Sequence, residues 1–85
     1  MKQFSYVLTK PHGLHARPLN SLVKEASRFS SRVILTGEEK AAELSETFKV
    51  LGMNLRCGSQ VRVTVEGRDE EAAVTALQNY FIENL

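Results

Sequence analysis

The hydrophobic residues of this chain fall into two rhythms. In "QFSYVLT" (Gln3–Thr9) they alternate, with Phe4, Tyr6 and Leu8 on one face and Ser5, Val7 and Thr9 on the other. That period belongs to a strand with one buried side. "KPHG" interrupts it, because proline cannot donate to a ladder and glycine permits a turn. From Leu19 the rhythm becomes helical. Leu19, Leu22, Val23, Ala26 and Phe29 form one stripe, and Lys24, Glu25 and Arg28 fall off it. Pro18 sits in the first turn, where its missing N–H costs little. The spacing predicts a helix from Ala16 to Arg28.

The alternation then returns. "SRVILTG" (Ser31–Gly37) is β-branched and aliphatic, and a turn at Gly37–Glu39 leads to a short hairpin partner over Lys40–Leu44. "SETFKVLGMNL" begins a short helix, with Ser45 as its expected N-cap and Glu46 suited to the positive helix end. Phe48, Leu51 and Leu55 recur at helical spacing there, and Gly52 and Asn54 weaken its second turn. "CGSQVRVTVEG" points Val61, Val63 and Val65 one way and Gln60, Arg62, Thr64 and Glu66 the other. "RDEEAAVTALQNYFIENL" is a helix with Asp69 as N-cap, Glu70 and Glu71 in its first turn, and a stripe of Ala73, Val74, Leu77, Tyr80 and Phe81.

The predicted order is βαββαβα. Strands with one wet and one apolar face favour an antiparallel sheet covered on one side. The expected fold class is α+β, an open-faced two-layer sandwich formed by one domain over residues 1–85. With 42% hydrophobic and 25% charged residues, the composition is that of a globular protein rather than a disordered one. A net charge of +1 gives no bulk argument for nucleic acid or a membrane surface. No apolar run approaches the roughly 20 residues of a membrane span, and "MKQFSYVLT" has no signal-peptide pattern, so the cytoplasm is the expected compartment. One cysteine, Cys57, allows no internal disulfide, and a loop or partly packed thiol is its expected state.

The chemistry concentrates in "KPHGLHARPLNSL" (Lys10–Leu22). His15 falls at the predicted helix start. The first amides of a helix lack internal partners and carry partial positive charge, so Ala16, Arg17 and Pro18 mark an anion site. Arg17 adds a guanidinium suited to phosphate oxygens. The same terminus disfavours imidazolium, and neutral imidazole is the nucleophilic form. A nucleophile beside two anion-stabilising elements is what accepting a phosphoryl group requires. A histidine at a helix start is also a common surface feature, so position alone does not assign it a role. His12 and His15 have no nearby carboxylate to complete a metal site, and no metal or cofactor is expected. No catalytic triad, dinucleotide loop or P-loop is present.

"GLHARP" (Gly13–Pro18) resembles the phosphorylation-site signature of HPr, the histidine-containing phosphocarrier family of the bacterial phosphoenolpyruvate-dependent sugar phosphotransferase system. The likeness continues through "LVKEASRF", "LSETFKVLGMNL", "GSQVRVTVEG" and "DEEAAVTAL". The resemblance implies a four-stranded antiparallel sheet with three helices on one face. It implies that His15 accepts the phosphoryl group at Nδ1 from phosphorylated Enzyme I and passes it to enzyme IIA domains, with Arg17 positioning the group. The implied protein is a monomeric carrier with no independent turnover. The partner surface carried over comprises His12, Asn20, Lys24, Phe48, Lys49 and Leu51, with Phe48 as an apolar contact beside a basic residue. Leu51 and Met53 could equally pack beneath the short helix.

Two positions depart from the family pattern. Many Gram-positive members carry a regulatory serine where this chain has Glu46, a fixed negative charge. Ser45, one residue earlier, is either a plain N-cap or a displaced phosphosite, and no regulatory phosphosite is assigned. Asn54 stands where the family often has glycine. The sequence also leaves two other readings open. Related phosphocarriers serve nitrogen-related signalling or the phosphorylation of dihydroxyacetone. A βαββαβ core also occurs in RNA-binding and small-molecule-binding modules. RNA recognition needs stacking aromatics on the central strands, and "QVRVTVEG" has none.

Overall fold

In a computed structural model, which describes residues 1–14 and 16–85, seven elements follow in the expected order. They are β1 (Lys2–Val7), α1 (Ala16–Ala26), β2 (Arg32–Thr36), β3 (Ala41–Glu43), α2 (Thr47–Gly52), β4 (Gln60–Glu66) and α3 (Glu70–Asn84). The four strands form one antiparallel sheet in the order β1-β4-β2-β3. The most alternating strand, β4, therefore lies inside, flanked by β1 and β2.

Register places the apolar set on one face. Phe4 pairs with Val63, Tyr6 with Val61, Val33 with Val65, and Leu35 with both Val63 and Ala42. The helices cover this face. Leu19 and Leu22 of α1, Val50 of α2, and Ala73, Leu77 and Phe81 of α3 complete the core, together with Leu8, Leu14, Leu44, Leu55 and Leu85. The Phe81 ring meets Phe4 and Tyr6 edge-on at centroid distances of 5.5 and 5.6 Å, a favoured arrangement for aromatic quadrupoles. On the other face Gln60, Arg62 and Glu66 are exposed and Thr64 is half-buried.

Each boundary that differs from the sequence reading has a local cause. Strand β1 ends at Val7; Leu8 still donates to the Ser59 carbonyl in the same register, and beyond it Thr9 and Lys10 both turn to the Leu85 carbonyl. Helix α1 ends at Ala26 rather than Arg28. There the Arg28 and Phe29 amides reach back only three residues, to Glu25 and Ala26, in a tightened last turn. The turn at Gly37 forms as expected, its amide donating to the Lys40 carbonyl at 2.8 Å.

Ser45 is not the N-cap of α2. That position is Glu46, with no side-chain cap; the carboxylate instead accepts from the Glu43 amide and pairs with Lys49 at 2.8 Å. Both contacts, the Lys49 hydrogen bond first, hold the Glu46 carboxyl below its usual range, and the same pair raises Lys49. The buried residue of α2 is Val50, and the Phe48–Leu51 stripe is an exposed apolar side, as its spacing on a short helix suggests. Asn54 adopts φ +57 and ends this region in the left-handed conformation. Asparagine tolerates that conformation better than most residues, so the glycine-like turn is kept. Asp69 does sit at the N-cap of α3 but does not cap it. Its carboxylate accepts from the Ser31 hydroxyl at 2.5 Å and the Ser30 amide at 2.8 Å, which ties the α1–β2 loop to α3.

Candidate functional site

The site is built where β1 hands over to α1. The Thr9 and Lys10 amides donate to the Leu85 carbonyl at 3.0 and 3.3 Å, so the end of α3 anchors the loop's entrance. The Gly13 amide donates to the Lys10 carbonyl at 3.0 Å and closes the turn. Gly13 has φ +60 and lies directly on the backbone of Leu55 and Arg56. The Leu14 amide then donates to the Leu55 carbonyl at 2.9 Å, and the Leu14 side chain is buried. Two other segments, the end of α3 and the loop after α2, together with the loop's own turn, thus hold it in one position up to the residue before His15. His15 itself lies outside the described residues.

On the far side, α1 begins at Ala16. The unpartnered amides of its first turn are those of Ala16 and Arg17; Pro18 fixes φ but has no N–H to offer. Of the predicted trio only Ala16 and Arg17 have an amide N–H to offer, and Pro18 shapes the turn. The first turn of α1 carries no acidic side chain, so nothing on the helix itself offsets its positive end. Arg17 is exposed and makes no ion pair with any described residue. An unpaired guanidinium next to free helix amides is suited to binding an oxyanion.

The remaining predicted residues divide. His12 is exposed in the turn, and Asn20 and Lys24 are exposed on α1. Helices α1 and α2, which carry Asn20 and Lys24 and Phe48, Lys49 and Leu51, are in contact. Phe48 is 89% exposed, far beyond what a core residue shows, and Leu51 is also at the surface rather than beneath the helix. Met53 is half-buried against the core. Lys49 pairs with Glu46 at 2.8 Å. Ser45 is exposed and caps nothing. Cys57 is an exposed loop thiol 3.6 Å from the Thr9 carbonyl.

Sequence reasoning missed the Leu55–Arg56 platform under the Gly13 turn. Its signals were indirect: a glycine ahead of the histidine and an asparagine just past a short helix. Tyr6 lies on the helix-covered face against Phe81, and the open face carries no aromatic among the described residues. Among these residues no cluster of three or more His, Cys, Asp or Glu forms, and no helix is long and apolar enough to cross a membrane.

Comparison with known proteins agrees with this geometry. The family model described as the PTS HPr component phosphorylation site matches residues 2–83. This chain belongs to the HPr family. The phosphocarrier protein HPr of Lysinibacillus sphaericus is 41% identical over 83 residues, spanning 98% of this chain and 94% of that protein. The solved structure of a Mycoplasma histidine-containing phosphocarrier protein superposes with a TM-score of 0.90 at 34% identity, covering 96% of this chain and 93% of that one. An HPr dimer from Thermoanaerobacter tengcongensis matches at a TM-score of 0.74 and 30% identity, covering 98% of this chain and 95% of that one. HPr proteins are phosphocarriers of the phosphotransferase system, components of phosphoryl transfer rather than enzymes with turnover of their own. The open sheet with three helices is the HPr fold.

Proposed function

We propose that His15 is the phosphoacceptor and that residues 1–85 act as one cytoplasmic carrier domain, working as a monomer between Enzyme I and enzyme IIA domains of a sugar phosphotransferase system. Nδ1 of His15 attacks phosphorus in line. The N–P bond forms as the bond to the donor breaks, and the donor keeps that electron pair. The charge that spreads over the three equatorial oxygens meets the Ala16 and Arg17 amides and the Arg17 guanidinium. The phosphohistidine then gives the group to the acceptor by the same step reversed. Asn20 and Lys24 on α1, and Phe48, Lys49 and Leu51 on α2, form the docking surface around it, with His12 at its edge. Glu46 stands where many relatives carry a serine, and an ionised carboxylate there is a fixed charge rather than a switched one.

The observation that supports this reading is the match of residues 2–83 to the model described as the PTS HPr component phosphorylation site, together with a loop that leads into a helix whose first turn carries no acidic side chain. The test is to supply phosphoenolpyruvate and Enzyme I, and then a panel of IIA domains. The reading expects stoichiometric phosphorylation of this protein and onward transfer to at least one IIA domain. Phosphorylation that no IIA domain can discharge contradicts the assigned pathway.

A further inference from the structure

We propose that Arg56 is a specificity-determining residue for phosphoryl transfer, a fixed cation that receives a carboxylate of the phosphotransfer partner beside the acceptor loop. The inference rests on the phosphocarrier reading above and names a contact that reading does not include.

Two of the six arginines have a carboxylate of their own among the described residues. Arg28 pairs with Glu25 at 2.7 Å, and Arg32 pairs with Glu43. Arg56 is exposed and has no ion-pair partner among the described residues. It is nevertheless held in place. Its Nε donates to Asn54 Oδ1 at 3.1 Å, a neutral acceptor that orients the guanidinium without cancelling its charge. Asn54 itself sits in the left-handed conformation after α2. The Arg56 backbone is pinned too, its amide donating to Ser59 Oγ at 3.1 Å and its carbonyl accepting from the Ser59 amide at 2.9 Å.

Its location gives this cation a use. The Arg56 Cα lies so close to Gly13 that a Cβ there would stand 2.6 Å from it, and Gly13 is two residues before His15. A partner that docks on the Gly13 turn of the acceptor loop comes down next to Arg56. With Nε occupied, the two Nη groups still present four N–H donors, the arrangement that grips a carboxylate through two oxygens. An oriented guanidinium loses less side-chain freedom on binding than a loose one. Arg17 sits on the helix whose amides face the anion. Arg56 sits on a different segment, which suits a contact with the partner's protein surface.

The experiment measures phosphorylation of this protein by phosphoenolpyruvate and Enzyme I, varying its concentration as substrate. Wild type, Arg56→Gln and Arg56→Lys are compared at low and high salt. Arg56→Gln should raise KM by about fivefold, the size of one partly exposed charge pair, with kcat unchanged. The salt dependence of kcat/KM should flatten. Arg56→Lys, which keeps the charge, should recover most of the loss. An unchanged KM and salt slope overturns the proposal. So does an equal rise in KM for Arg56→Lys, which would assign the effect to loop shape, or a fall in kcat at constant KM, which would move Arg56 onto the phosphoryl group. Failure of wild type to accept phosphate would instead overturn the phosphocarrier reading itself.

Discussion

A methyl group on Gly13 would stand 2.4 Å from the Leu55 carbonyl oxygen, the same oxygen that accepts from the Leu14 amide. The turn before His15 is thus locked to the loop after α2 by contact and by hydrogen bond at once. Substituting Gly13→Ala meets two costs, the left-handed φ and a clash with backbone that has no side chain to move aside. It should destabilise the fold by about 2–4 kcal/mol, measured by urea unfolding. Phosphorylation should slow even at temperatures where the variant is folded, because the loop must shift off its platform. A variant as stable and as active as wild type would show that the contact does not position the loop.

Phe48 tests the docking surface from the other side. It makes no core contact, so Phe48→Ala should change unfolding free energy by no more than about 0.5 kcal/mol. Truncating an exposed aromatic anchor should nevertheless raise KM for Enzyme I severalfold. Equal stability with equal KM would remove Phe48 from the partner surface.

The strand and helix pattern was legible in the sequence because burial on one side imposes a period, and β4 shows it without exception from Gln60 to Glu66. Charged side chains were harder to read. Asp69 looked like a cap and is a clamp on Ser30 and Ser31, a choice made by a loop 38 and 39 residues away. Glu46 and Lys49 sit three residues apart, but nothing local showed that Glu46 would also hold the Glu43 amide and displace Ser45 from capping. At the site, the motif exposed Arg17 and the helix start. The Leu55–Arg56 platform depends on a long-range backbone approach that leaves no periodic trace.

Acid titration should expose the Asp69 clamp. The hydroxyl of Ser31, and then the amide of Ser30, hold its carboxyl below the usual 3.8. A group depressed in the folded state contributes stability that is complete above its unfolded pKa and is lost as pH falls through the lower folded value. Glu70 acts with the same sign, lowered by the amino group of Met1 at 2.6 Å and by the Gly67 amide. Wild type should therefore lose stability below about pH 4. Asp69→Asn should be less stable at pH 6 and show a shallower decline on acidification. Parallel pH profiles for the two proteins would mean that the clamp does not depend on charge.

The central claim is that the phosphoryl group is carried on His15. The most direct measurement is to phosphorylate the protein with phosphoenolpyruvate and Enzyme I and locate the phosphate by phosphorus NMR and peptide mass spectrometry, with His15→Ala and His12→Ala alongside. One acid-labile phosphate on Nδ1 of His15 is predicted, retained in His12→Ala and absent in His15→Ala. Phosphate on any other residue, or continued labelling of His15→Ala, would contradict the account.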